Sequence, residues 1–183
     1  MASAGNIGFN IDTNPIYPQS YDLDNIIVVG GLDKNDSLTF WSDELQEYKQ
    51  FNYGPNSVDI YAPAINIYST LPNDTYGIKS GTSFAAPYVS GVAALLLSIK
   101  NDLTPAQLKE CIVNGGDDIV IYPLNGDAHT VKKLNAFGAR YDSEGRISNY
   151  DEMYAAEVAA YNRAIDSGDE AAIEAAEERY EDF

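Results

Sequence analysis

Lys79-Ser80-Gly81-Thr82-Ser83-Phe84-Ala85-Ala86-Pro87-Tyr88-Val89-Ser90-Gly91-Val92-Ala93-Ala94-Leu95-Leu96-Leu97-Ser98-Ile99 is the stretch around which this 183-residue chain is organised. From Ser83 onward it is apolar and rich in small residues, and its one proline, Pro87, falls early enough to read as part of the first turn. Such a run predicts a helix that is hydrophobic all round and packed through the middle of a domain. Its first residue is a serine. The N–H groups at a helix N-terminus are unpaired and carry partial positive charge, so an oxyanion that forms beside them is stabilised. A hydroxyl at that end can attack a carbonyl while its own backbone N–H holds the oxygen that becomes negative. Gly81 allows close approach to the backbone, and the Thr82 hydroxyl can orient the turn. The bare triplet Gly81-Thr82-Ser83 reads more readily as an ordinary buried helix capped by Ser or Thr.

The longer string separates these readings. Gly81-Thr82-Ser83-Phe84-Ala85-Ala86-Pro87-Tyr88-Val89-Ser90-Gly91 fills every fixed position of Gly-Thr-Ser-x-Ala-x-Pro-x-Val-x-Gly, and so resembles the nucleophile segment of subtilisin-like serine proteases. The resemblance implies an endopeptidase that forms an acyl-enzyme on Ser83, a chemistry that requires no cofactor. Upstream, Ser3-Ala4-Gly5-Asn6 resembles the family's Ala-Ala-Gly-Asn, whose asparagine amide is the second oxyanion donor, so Asn6 takes that role by resemblance. By itself Ala4-Gly5-Asn6 is a turn. By the same resemblance Ser3, Ala4 and Gly5 line one wall of the pocket for the side chain before the scissile bond. Gly81 and Thr82 lie beside it, and Ile7 and Ile16 flank it, favouring an apolar side chain. No metal takes part in this site.

The resemblance runs from residue 3 to about residue 139. Tyr17-Pro18 matches a step that is often cis in the family. Ile26-Ile27-Val28-Val29-Gly30-Gly31 is a β-branched run that predicts a strand covered on both faces. Phe40-Trp41-Ser42 and Asn52-Tyr53-Gly54 look like one family stretch, Phe-Ser-Asn-Tyr-Gly, split by a piece from Asp43 to Phe51 that reads as an inserted surface loop. Ser57-Val58-Asp59-Ile60-Tyr61-Ala62-Pro63 matches the strand before the nucleophile, with Ala64 where glycine is usual. Thr104-Pro105-Ala106-Gln107 is a capping signature that opens a helix closed by Asn114-Gly115, with Leu108, Cys111 and Ile112 on one face. Leu134-Asn135-Ala136-Phe137-Gly138-Ala139 resembles the family's terminal helix. A weak cation site at Gln19–Tyr21 with Asp59, holding structural calcium, is implied by resemblance alone.

The fold class expected is α/β: a partial, doubly wound parallel sheet of subtilisin type over residues 1–140, with a C-terminal helical extension over 141–183. A hydrophobic content of 45% agrees with a globular chain. The formal charge of −17 speaks against nucleic acid or an anionic membrane as partner, since either would be repelled. The single cysteine, Cys111, excludes an internal disulfide and sits in a helical pattern as a buried thiol. Residues 1–6 have neither the basic region nor the apolar run of a signal peptide, and the Ser83 helix, broken by Pro87, Ser90 and Gly91, reads as too short for a membrane anchor. An extracellular setting rests on the family alone.

Beyond Arg140 the composition changes. Residues 141–183 hold 13 acidic and 3 basic residues, a net −10 of the chain's −17. Tyr150, Met153, Tyr154, Val158, Tyr161 and Ile165 recur at helical spacing, as do Ile173, Ala176, Tyr180 and Phe183 after a break at Ser167-Gly168, which predicts an acidic helical hairpin. It reads either as a solvated extension or as a docking appendage.

A serine is a poor nucleophile without a histidine to take its proton and a carboxylate to orient that histidine. In the family these precede the serine, yet residues 1–82 contain no histidine. The chain's one histidine, His129, comes 46 positions after Ser83 in a turn-like stretch and reads as a surface residue rather than a base. The expectation is therefore the C-terminal part of a peptidase domain that acts on peptide or protein, inactive alone and completed by a missing N-terminal half. The rival expectation is a non-catalytic protein that binds a partner through its surface and acidic helices.

Overall fold

The computed structural model describes residues 1–42, 46–124 and 126–140. The expected acidic hairpin lies outside the described residues. Among the described residues the strands and α-helices follow in order: β1 (Ala2–Ser3), β2 (Val28–Leu32), β3 (Thr39–Ser42), β4 (Glu47–Gln50), β5 (Ile60–Pro63), β6 (Ile67–Leu71), β7 (Thr75–Lys79), α1 (Thr82–Ile99), α2 (Pro105–Asn114), β8 (Asp117–Ile121) and β9 (His129–Lys133). Five strands form one sheet in the order β1-β2-β5-β9-β8, parallel throughout except for the antiparallel pair β8–β9. This is the mixed α/β sheet of a subtilisin-like fold.

The β-branched run does form a fully buried strand, every residue of β2 being shielded. Because side chains alternate across a strand, β2 and β5 feed two cores. Val29, Ile60 and Ala62 join Ala85, Val89, Val92, Ala93 and Leu96 of α1 and Cys111 and Ile112 of α2 in one cluster. Val28, Leu32 and Tyr61 join Ala4, Ile11, Leu38, Tyr53, Val58, Ile121 and Val131 in the other. Burial raises the pKa of the Tyr61 phenol far above its ordinary value, and the Gly54 N–H donates to its oxygen at 3.5 Å. The Tyr17-Pro18 bond is cis, as expected.

Several expectations need correction. The inserted piece is not a free loop: β4 pairs antiparallel with β3, Trp41 packs edge-on against Tyr48 at 5.1 Å, and Phe51 is fully buried against Phe40. Cross-strand aromatic contact of this kind holds a hairpin together. Residues 66–80 carry a second hairpin, β6–β7, turning through Asn73 and Asp74 at positive φ. Leu134–Ala139 yields only a 3₁₀ turn, Gly138–Arg140, within the described residues. His129 opens β9 opposite Ile121, and its ring stacks on Tyr53 at 6.4 Å.

The central helix also departs from its sequence reading. Pro87 lies inside α1, and Gly81 is the N-cap with no side-chain cap. Among the described residues one face of α1 is packed, and Tyr88, Leu95 and Ile99 are 44%, 60% and 42% exposed. By length and composition alone this helix could cross a membrane. Its contacts with β2 and β5 account for the buried part of its apolar character.

Candidate active site

Site geometry starts from Gly81. Its φ of 151° and ψ of 155° suit glycine, and its N–H donates to the Ala64 carbonyl at 2.8 Å, tying the turn before α1 to the end of β5. Ala64 performs this role in place of glycine; it is fully buried, and the Cβ that Gly31 lacks would stand 2.7 Å from its methyl. Thr82 and Ser83 follow as the first two helical residues. Thr82 is buried and Ser83 exposed, so the helix begins with one hydroxyl inside and one outside. As the second helical residue, Ser83 has an N–H with no intrahelical acceptor, which leaves it available to an oxyanion.

The buried hydroxyl organises the exposed one's surroundings. Gly5 N–H donates to Thr82 Oγ1 at 3.1 Å, Thr82 Oγ1 donates to Asn6 Oδ1 at 3.0 Å, and Thr82 N–H donates to the same Asn6 oxygen at 2.9 Å. With its Oδ1 held by two donors, the Asn6 side chain must present its Nδ2 the other way. That amide nitrogen lies 3.5 Å, and Ser83 Oγ 3.3 Å, from the point where a Cβ on Gly81 would stand. A side chain at Gly81 would fill the space that the alcohol and the carboxamide share. Asn6, Gly81, Thr82 and Ser83 therefore form one cluster although more than seventy residues separate its two parts.

The turn that carries Asn6 is fixed from below by Asn52, to which sequence reading gave no role. Asn52 is fully buried; its Nδ2 donates to the Ala4 carbonyl at 2.8 Å, and its Oδ1 accepts the N–H groups of Ile7 at 3.1 Å and Phe9 at 3.0 Å. Gly5, at φ 107°, passes so close to it that a Cβ there would meet the Asn52 amide. Position in the Asn52-Tyr53-Gly54 stretch was the only signal in the sequence, and burial of an asparagine is not visible from its neighbours.

Around this cluster the other expected residues are distributed unevenly. Ala4 is fully buried, and Ser3 and Gly5 are half-buried beside it. Ile16 packs against the second core, whereas Ile7 is 62% exposed. Ile7 lines a cavity of about 500 Å³ with Asn6, Phe9, Tyr48, Gln50 and Leu124, so the two isoleucines have different surroundings.

A family model described as the subtilase family matches residues 1–139. The chain belongs to the subtilase family. It is 41% identical over 154 residues to the thermophilic serine proteinase of Bacillus sp. strain AK1, covering 84% of this chain and 30% of that protein. Over 99 residues it is 38% identical to subtilisin-like protease 2 of Plasmodium falciparum isolate 3D7, covering 54% of this chain and 7% of the relative. Among solved structures, a cold adapted subtilisin-like serine proteinase matches with TM-score 0.58 and 30% identity, over 73% of this chain and 43% of that one. The chain thus spans less than half of each of these subtilases, and it shares their serine-hydrolase fold.

The cation site implied for Gln19–Tyr21 and Asp59 does not fit a metal here. Among the described residues no group of three or more His, Cys, Asp or Glu side chains is arranged to hold one. Asp59 instead meets Lys109, whose Nζ is 2.9 Å from its Oδ1.

Proposed function

We propose that this chain supplies the acyl-transfer half of a serine endopeptidase site. Ser83 Oγ attacks the peptide carbonyl, and the Ser83 N–H with Asn6 Nδ2 holds the oxyanion. Thr82 positions both without touching substrate. The reading rests above all on the double donation from Thr82 to Asn6 Oδ1, which aims the amide at the space beside Ser83 Oγ. Ser3, Ala4 and Gly5 form a wall for the substrate side chain, with Gly81 near it.

Among the described residues the proton of Ser83 meets no histidine, since residues 1–82 lack one and the ring of His129 stacks on Tyr53. The base and its orienting carboxylate come from further polypeptide that packs on the outer face of α1 and beside β1. Extracellular peptide hydrolysis is the setting that family membership supports. A polypeptide that joins this chain to a segment carrying the family's Asp and His is expected to cleave casein and to lose that activity in Ser83→Ala. Asn6→Leu should retain binding but slow turnover by 10²–10³-fold, a loss of roughly 2.7–4 kcal/mol of transition-state stabilisation, as established on subtilisin itself. If the joined polypeptide folds and cleaves equally well without the Ser83 hydroxyl, the proposal fails. The rival, a non-catalytic binding protein, draws on the exposed apolar residues of α1, and a joined segment without Asp and His would favour it.

A further inference from the structure

Asp59 is clamped before its carboxylate meets any cation. Its Oδ2 accepts the Val28 N–H at 2.7 Å and its own N–H donates to the Val28 carbonyl at 3.0 Å, so the side chain is locked onto the start of β2. The other oxygen, Oδ1, is 2.9 Å from Lys109 Nζ, and the same ammonium donates to the Ile26 carbonyl at 2.8 Å. Both side chains are mostly shielded, with 26% of Lys109 and 18% of Asp59 exposed. They stand in a cavity of about 290 Å³ whose walls include Gln19, Tyr21, Leu23 and Asn56.

A carboxylate oxygen and a main-chain carbonyl that converge on one point make the kind of hard-oxygen arrangement that calcium takes. Here that point is filled by nitrogen. Calcium requires 6–8 oxygens at about 2.3–2.6 Å, and a divalent ion on Asp59 Oδ1 would face the lysine's charge at close range. Lys109 reaches the spot from α2, whose start is fixed by the reciprocal Thr104–Gln107 capping box with Pro105 following it. The ammonium is therefore delivered by a rigid element, and one side chain joins α2, the segment before β2 and the turn before β5.

The geometry points to Lys109 as the resident cation of this pocket: its ammonium takes the place at Asp59 that a metal ion would hold, and the segment leading into β2 is fixed without calcium. The inference does not depend on the protease reading, since it concerns stability and ion binding alone.

Thermal unfolding of the full chain, in sodium chloride and in calcium chloride at matched ionic strength, tests it. The native chain is expected to show the same midpoint in both salts. Lys109→Ala should melt several degrees lower in sodium chloride and regain that loss in millimolar calcium. The double variant with Asp59→Asn should not regain it, and Lys109→Arg should keep calcium indifference. Terbium luminescence sensitised by Tyr21, read on the folded proteins in the cold, gives a second measure: Lys109→Ala should gain emission over the native chain, and adding Asp59→Asn should remove the gain. Comparison between variants cancels terbium held by the acidic tail. A native midpoint that rises in calcium and loses that rise in Asp59→Asn would overturn the inference. A Lys109→Ala chain that gains neither calcium dependence nor terbium emission would do the same.

Discussion

The two long faces of α1 are built from similar residues and meet different surroundings. Ala85, Val89, Val92, Ala93 and Leu96 are packed against β2 and β5, while Tyr88, Leu95 and Ile99 stand open. A helix apolar all round needs cover on all sides. Among the described residues this one has cover on a single side. The same division runs through the candidate site, where the buried Thr82 ties the exposed Asn6 and Ser83 to the packed side, while among the described residues no histidine faces them. The inner side of the helix explains why the fold holds; the outer side indicates where the chemistry would be completed.

The contrast makes distinct predictions. Leu96→Ala removes a side chain that is 6% exposed and should destabilise the chain by about 2–5 kcal/mol in urea unfolding, the range for a buried leucine. Asn52→Ala should cost about 2–3 kcal/mol, because it orphans the Ala4 carbonyl and the Ile7 and Phe9 N–H groups at once. Amide exchange at Ile7 and Phe9 should accelerate with it, and protection that survives the substitution would show that the turn is held by other contacts. Thr82→Val keeps volume but breaks the hydroxyl bridge between Gly5 and Asn6, for about 1–2 kcal/mol. Leu95→Ala, at 60% exposure, should change stability by less than about 0.5 kcal/mol in this chain. A loss as large as that of Leu96→Ala would erase the distinction between the faces.

The smallest expected effect concerns pH. Burial raises the pKa of the Asp12 carboxyl, but hydrogen bonds from Ser57 and Asn56 outweigh burial and leave it below its ordinary value of 3.8. A carboxylate depressed in the folded state adds stability at pH above its unfolded value, and that contribution is lost as pH falls through the folded one. Asp12→Asn should therefore flatten the acid limb of the stability profile slightly, since solvent screens a group this accessible.

Sequence alone made some of this architecture legible and hid other parts for physical reasons. The β2 run and the Thr104 capping box declared themselves because burial on both faces and a helix start each impose residue types locally. Ser83 and Asn6 were legible through motif strings, and the structure brings them to one space beside Gly81. Asn52 and Lys109 were not, because their work is done across 45 and 83 residues of chain, and a lone Asn or a helical Lys carries no local sign of such partners. The β3–β4 hairpin was misread as a loop because its pairing depends on Trp41 meeting Tyr48, a contact between strands rather than a pattern within one. The open face of α1 was hidden for the opposite reason: its hydrophobicity is uniform and does not say which side is covered.

A fluorophosphonate probe reports whether Ser83 is activated, because the reaction needs both an oxyanion hole and a base that takes the serine proton. Intact-mass and peptide mapping of the full 183-residue chain after exposure to such a probe is therefore the most direct measurement. The account predicts no stoichiometric adduct at Ser83 on the chain by itself; stoichiometric labelling of Ser83, absent in Ser83→Ala, would show a base within these residues and contradict it.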